Sequence, residues 1–271
     1  MIRRNRTRIR IGIISSMDLI FAGIIGFLAA LLVNYLADTL PKGERPGRPL
    51  CQHCQSELTW RQYLTFSPCP HCKKGRTVRT FATILLGIGL SLWLWNAPPP
   101  KLGYWLGILL LTYFAVVVII DFEHRYIMIS TVLVGAILGL VIGTLLHGVI
   151  NTFLGGLTGL GIMGAFYLLG ILFARYRARK RGIDDGEEAL GLGDVYLSTV
   201  LGLLLGWPRI LYGLFFGVLA GGLISFLLIL ALIATKRYQT MTVFTAYGPY
   251  LIFGAFLILY TPQILTLLSG R

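Results

Sequence analysis

Charged side chains are scarce in this chain. They make up 13% of its 271 residues, where an ordinary soluble domain carries about 25%. Hydrophobic residues take 56%, and the mean hydropathy is +0.76. This excludes a soluble globular enzyme and implies a polytopic membrane protein. Cysteine is rare too: the four present form two tight pairs among basic residues. That pattern fits a metal site on the reducing side of a membrane, since a disulfide framework needs the oxidising compartment. A cleavable signal peptide of the usual form is also lacking. The first apolar run, from about Leu19, has no A-x-A site and continues into Asn34 and Asp38. The formal net charge of +13 is not a nucleic-acid footprint. Most Lys and Arg lie in short loops beside apolar runs, where the positive-inside rule accounts for them.

A helix needs about 20 apolar residues to cross the hydrocarbon core. On that scale eight spans are expected, at 17–38, 80–97, 102–121, 127–147, 149–173, 194–207, 208–234 and 247–268. The sixth is short, and its boundary with the seventh rests on Trp207-Pro208-Arg209. Gly155, Gly156, Gly159, Gly161 and Gly164 are expected to let helix backbones approach closely. The expected organisation is a basic tail at 1–16, a first transmembrane helix at 17–40, a cytoplasmic four-cysteine loop at 41–79 and a transmembrane core at 80–271. The expected fold class is therefore an all-α polytopic membrane protein, with about eight transmembrane helices and a small cytoplasmic zinc-binding loop.

Loop charges set the expected orientation. The first, third, fifth and seventh loops hold sixteen Lys and Arg, and the other side holds eight. Five of those eight are Arg3, Arg4, Arg6, Arg8 and Arg10 of the N-terminal tail, which argue for the opposite orientation. If Met17 is the first residue, the balance becomes sixteen against three. The loops are taken to decide, so the odd loops are expected in the cytoplasm.

Cys51-Gln-His-Cys54 and Cys69-Pro-His-Cys72 are separated by fourteen residues. Two thiolates on one tight turn subtend one edge of a tetrahedron, so two such turns suit zinc. Cys51, Cys54, Cys69 and Cys72 are the expected ligands, with His53 and His71 as bystanders. A closed four-thiolate site leaves no position for water or substrate, so the zinc would be structural and would supply folding energy to a loop too short for a core. The alternative is two disulfides or free thiols, and cytoplasmic placement counts against the first.

Asp121 and Asp194 each sit where an apolar stretch meets a polar loop, and both fall on the side of the cysteine loop. An ionisable group at a membrane boundary is costly and is a functional-site hypothesis by default. Asp121 closes the run AVVVII, and Asp194 follows Gly191-Leu-Gly193. Glycine ahead of the aspartate allows close backbone approach. Two carboxylates that share a site do not both ionise easily, so one serves as base and the other as acid about a water between them. A helix cap or a solvated terminus is the other explanation, above all for Asp194 at a helix start.

Four strings together resemble a type IV prepilin peptidase, the leader peptidase and N-methyltransferase family. They run in order over most of the chain. The first is 26–41, with Asn34, Asp38 and Leu40-Pro41, followed by the cysteine pairs with Leu58 and Trp60 between them. The second is Ile120-Asp121. The third is Gly191-Leu-Gly-Asp194, similar to the Gly-x-Gly-Asp motif of preflagellin peptidases and, more remotely, presenilins. The last is Tyr247-Gly-Pro-Tyr-Leu251 with Gly254-Ala255. The resemblance implies cleavage of a type IV prepilin or pseudopilin leader on the cytoplasmic side of the inner membrane. Asp121 and Asp194 would be the catalytic pair, and the lipid bilayer the setting. It also implies N-methylation of the new terminus with S-adenosylmethionine, a function linked in the family to the cysteine loop.

The chain departs from the family pattern at three places. Ile127-Met128 replaces Ile-Pro, and Tyr196 stands where a Lys follows the Gly-Asp motif. Of the string after the cysteine loop only Arg79 remains, with Phe81 at the Pro position and Ile84 at the Glu position. The first two changes leave the aspartate pair intact but could alter how it is gated or tuned; the third touches the methylating half, because an apolar residue cannot replace a carboxylate that orients a cationic cofactor. Asp184, Asp185, Glu187 and Glu188 could steer a basic leader or simply balance the Arg175 to Arg181 cluster. Glu123 and His124 could tune Asp121 by charge or lie at the interface, and Asn34 is expected to bond across helices. The rival readings are a non-catalytic scaffold of pilus or secretion assembly, favoured by the changed positions, and a transporter, disfavoured by the shared face of both aspartates.

Overall fold

The computed structural model describes residues 16–43, 47–181, 191–234, 246–261 and 263, with backbone only at 16 and 177–181. The basic tail, the acidic stretch with Asp184, Asp185, Glu187 and Glu188, and the loop at 235–245 lie outside the described residues. Among the described residues the chain is helical: α1 (Ser16–Gly43), α2 (Trp60–Leu64), α3 (Val78–Asn96), α4 (Gly103–His124), α5 (Ile129–His147), α6 (Val149–Arg181), α7 (Leu192–Leu205), α8 (Arg209–Ala234) and α9 (Gly248–Tyr260). The only β pairing among the described residues is an isolated antiparallel bridge, Leu50 with Glu57.

Six of these helices (α1, α3, α4, α5, α6 and α8) are long and apolar enough to cross a membrane. The expected spans at 194–207 and 247–268 correspond to α7 and α9, which have 14 and 13 residues. At 1.5 Å per residue they reach about 21 and 20 Å, less than the roughly 30 Å hydrocarbon core. Burial compensates for α7. Val195, Leu197, Ser198, Val200, Leu201, Gly202, Leu204 and Leu205 are all buried, so this helix is wrapped by protein on most sides.

Small residues make that wrapping possible, because backbones must come close where no hydrophobic drive acts between helices. On α6, Gly155 and Gly159 run antiparallel to Gly202 and Ser198 of α7. A Cβ at Gly155 would strike the Gly202 carbonyl, and one at Gly159 the Ser198 carbonyl. The Ser198 hydroxyl donates to the Gly159 carbonyl across this seam at 3.1 Å. Gly161 has nothing within 4 Å and points off the interface, whereas Gly164 faces Val195 of α7 at 4.0 Å, an ordinary contact that does not require glycine. The same device joins α1 to α3, where Gly26 faces Gly87 and Ser91, and α8 to α9, where Gly213 and Gly217 face Gly254 and Leu251.

Asn34 is fully buried on α1. Its amide donates to Ala30 of its own helix at 2.9 Å, not across helices as expected, and its side-chain oxygen has no partner. An i to i−4 bond is always in reach of a polar side chain on a helix, whereas a neighbour must offer an acceptor at the same depth.

Contacts between helices fix which ends lie together. Ala22 of α1 meets Ser91 of α3, and Tyr260 of α9 bonds Gly107 of α4 at 2.6 Å. Glu123 of α4 meets Arg79 of α3, and Gly248 of α9 meets Asp121. The cysteine module and the two candidate aspartates thus share one end of the bundle.

Candidate active site

Asp121 occupies the last turn of α4. Helix α4 ends at His124 and is capped by Arg125, which takes a left-handed conformation at φ 57° and whose N–H bonds the Asp121 carbonyl at 2.8 Å. The neighbouring Phe122, Glu123, His124 and Arg125 are exposed, yet Asp121 is only 4% exposed. Its side chain points inward, and its Oδ2 is buried without a hydrogen-bond partner. A buried polar atom left unpaired costs free energy and asks for an explanation, such as a catalytic role.

Asp194 enters from the start of α7. Gly191 is the cap residue in extended conformation, Asp194 is the third helical residue, and no side chain caps the helix. Asp194 is thus not the N-cap residue itself, although from the third position its carboxylate reaches back toward the Gly191 N–H. Asp194 is half-buried, and lies close enough to Asp121 to feel its charge. The two glycines of the motif differ in what they do. A Cβ on Gly193 would sit 3.0 Å from Ile127 Cβ, whereas one on Gly191 would meet nothing nearer than 3.9 Å. Gly193 is needed so that α7 can pass the segment between α4 and α5.

The third wall is the start of α9, which the sequence did not assign to the site. Gly248 presses its backbone on Asp121: a Cβ there would lie 2.5 Å from Oδ2, 3.3 Å from Cγ and 3.4 Å from Ile127 Cδ1. The Gly248 N–H also faces the Asp121 carboxylate. Tyr247 lies within the field of Asp194. Pro249 follows at the first turn of α9, where its missing N–H costs nothing. The local signal for this wall is the Gly-Pro pair. That pair announces a helix start and says nothing of which carboxylate lies beneath it.

The cysteine module is two copies of one turn. Cys51 N–H bonds Ser56 O and Gln55 N–H bonds Cys51 O, each at 2.9 Å; Cys69 N–H bonds Lys74 O at 3.1 Å and Lys73 N–H bonds Cys69 O at 2.9 Å. The fourth residue after each leading cysteine is left-handed, Gln55 at φ 59° and Lys73 at φ 56°. The four sulfurs converge within 4.8 Å of one another. None is in a disulfide. The Cys51–Cys72 and Cys54–Cys69 sulfur separations are 3.7 and 3.6 Å. Four thiolates at the zinc–sulfur distance of about 2.3 Å stand about 3.8 Å apart on the tetrahedron's edges, so the donor set fits a zinc ion. The hydroxyl of Ser56 sits 3.1 Å from Cys54 and 3.4 Å from Cys69. Hydrogen bonding from Ser56 and backbone amides holds the Cys69 thiol down at about 5. Against the Lys74 backbone hydrogen bond, burial and the neighbouring thiols push Cys72 up to about 11, so a metal would have to displace the protons they share. Cys51, Cys54, Cys69 and Cys72 could therefore hold a metal ion such as zinc, and with four thiolates its contribution would be structural.

The module is seated on α1 by polar contacts. Tyr35 donates to Gly47 O at 2.6 Å, Lys42 to Gln55 O at 3.0 Å and Tyr63 to Leu31 O at 3.3 Å. Thr59 and Gln62 form a capping box that starts α2. Asp38, a carboxylate inside an apolar run, receives the Arg79 guanidinium, which also reaches Glu123 at 2.6 Å. Glu123 is therefore an ion-pair partner of Arg79. His124 is exposed at the end of α4.

Of the departures noted in the sequence, Met128 is buried and packs among Val116, Ile120 and Val33, and Tyr196 is exposed. No curated protein and no solved structure matches the chain. The type IV leader peptidase family matches residues 105–226. That stretch runs from α4 into α8 and includes both Asp121 and Asp194, while the cysteine module and α9 lie outside it. Over that stretch the chain is similar to the type IV leader peptidase family.

Proposed function

We propose that the chain is an aspartic endopeptidase of the inner membrane that removes the leader of a type IV prepilin or pseudopilin on the cytoplasmic side. One observation carries the assignment: Asp121, buried and with an unpartnered oxygen, projects its charge on Asp194 at the end of the bundle that bears the cysteine module. Two carboxylates so placed share a proton more readily than they both ionise. The ionised member takes a proton from a water between them, and the hydroxide attacks the scissile carbonyl. The protonated member then donates to the leaving nitrogen.

Loop charges support the cytoplasmic assignment, since the loops at this end carry the excess of Lys and Arg. Met128 packs among Val33, Val116 and Ile120 and Tyr196 is exposed, so these departures leave both carboxylates in place, which supports a working peptidase over a scaffold. The proposal stops at cleavage, because Ile84 stands where the family carries a carboxylate. Asp121→Asn and Asp194→Asn should each abolish processing of a purified prepilin while the chain remains membrane-inserted. Full cleavage by either variant refutes the assignment.

A further inference from the structure

Asp121 sits in a helix turn with three exposed neighbours, and the last turn of a helix is where its carbonyls lack partners. What steadies it from outside is Glu123, two residues on, whose carboxylate receives Arg79 at 2.6 Å. The other arm of the Arg79 fork is bound to Asp38, whose side chain is 6% exposed. Asp38 in turn accepts from Gln52 at 3.2 Å. Gln52 lies between Cys51 and Cys54, and its amide also takes the Thr77 hydroxyl and N–H at 2.5 and 3.1 Å and gives to Thr80 at 2.9 Å. Asp38, Gln52, Thr77, Arg79 and Glu123 line a cleft of about 280 Å³ between the module and the end of α4, together with His124. One continuous polar chain therefore runs from the first cysteine turn, across the starts of α3 and the end of α1, to the turn that bears Asp121.

We propose that Arg79 is a positioning residue for Asp121, and that Gln52 extends its hold to the cysteine module, so that metal loading of the module steadies the last turn of α4. A guanidinium fork is suited to this, because it fixes two carboxylates at once in set geometry. The effect on cleavage rests on the peptidase assignment; the effect on the α4 turn does not.

The test uses the full chain in detergent and reads two quantities. The first is backbone hydrogen exchange at 122–125, compared with 195–200 of α7. Arg79→Met should speed exchange in the α4 turn about tenfold or more and leave α7 unchanged. Gln52→Ala, and removal of metal by a chelator, should produce the same local change to a smaller extent. Glu123→Gln, which leaves Asp38 paired with Arg79, is the milder second variant and should act in the same direction. Arg48→Ala breaks an exposed ion pair of the module with Glu57 and should alter neither region. The second quantity is kcat against KM. Arg79→Met should lower kcat about tenfold to a hundredfold with KM within about twofold, as expected when a reacting group is misplaced and binding is intact. Arg79→Lys should recover part of the loss.

Unchanged exchange at 122–125 in both Arg79→Met and Glu123→Gln overturns the proposal, as does a uniform rise over α3, α4 and α7. A local rise with unchanged kcat, in a chain that Asp121→Asn inactivates, overturns the positioning role. If Asp121→Asn still cleaves, the peptidase assignment fails on its own, and the exchange result still decides whether the hold exists.

Discussion

Gly248 offers the sharpest test of the site's geometry, because it lies far from both aspartates in sequence and outside the family match. In Gly248→Ala the new methyl would stand 2.5 Å from Asp121 Oδ2. An ordinary carbon–oxygen contact is about 3.3 Å or more, so the carboxylate or α9 must retreat by about 0.8 Å. Retreat is hindered on the next side, since Ile127 Cδ1 is already 3.4 Å from the methyl. A displacement near 1 Å at a reacting group costs about a hundredfold in rate, which is about 2.7 kcal/mol of transition-state stabilisation. Cleavage of a purified prepilin should therefore show kcat down about a hundredfold in Gly248→Ala, with thermal stability in detergent near wild type. Gly191→Ala is the comparison. It lies inside the Gly-x-Gly-Asp motif, yet its methyl meets nothing closer than 3.9 Å and its φ of −80° suits alanine. Its rate should stay within about threefold of wild type, with Gly193→Ala, 3.0 Å from Ile127 Cβ, between the two. Wild-type activity in Gly248→Ala, or a greater loss in Gly191→Ala, refutes this account of the site.

The cysteine module should hold one zinc per chain, measured by atomic emission on the purified protein, and Cys51→Ser or Cys69→Ser should lower that content. Chelation should change the fluorescence of Trp60, which packs on Tyr35 of α1 at 5.0 Å, with little change in total helix; a signal insensitive to chelation would count against a metal-held module. Gly202→Val should lower the thermal midpoint in detergent by an amount equivalent to about 1–3 kcal/mol, since its side chain would drive α7 off Gly155 and Gly156. Gly161→Val, with open space around it, should change nothing. Equal effects of the two would remove the small-residue seam as a cause.

The features legible in the sequence are those set by composition and local pattern. Apolar run length located the long helices, and the twin Cys-x-x-Cys turns announced a four-sulfur cluster before any geometry was known. Loop charge placed Asp121, Asp194 and the cysteines on one face, and the fold gathers them at one end of the bundle. What stayed hidden depends on how helices are rotated against each other. Nothing near Gly248 in the sequence says that it covers Asp121, and nothing near Arg79 says that it divides its guanidinium between Asp38 and Glu123. Gly161 looked like its neighbours on α6 and points elsewhere. Asp38 did carry a usable signal, because a carboxylate within an apolar run requires a countercharge at its own depth.

The short helices explain why hydropathy alone misjudges the core of this protein. Helix α7 begins beside Ile127, just ahead of α5, where Gly193 passes the Ile127 side chain. It ends beside His147, the last residue of α5, whose ring touches Gly206 and bonds the Leu204 carbonyl at 3.1 Å. The same two levels are therefore joined by 14 residues in α7 and by 19 residues in α5. At 1.5 Å per residue these are about 21 and 28 Å, so α7 is the shorter of the two packed helices by about 7 Å. A helix that is encased need not match the bilayer's thickness, because protein rather than lipid satisfies its ends. That freedom lets its first turn, with Asp194, stop at the level of Asp121 rather than run on into the polar loop. The pair of carboxylates is thus held at an apolar edge by the shortness of α7 and α9; a search for 20-residue apolar runs overestimates α9, whereas the short run at 194–207 already gave the length of α7.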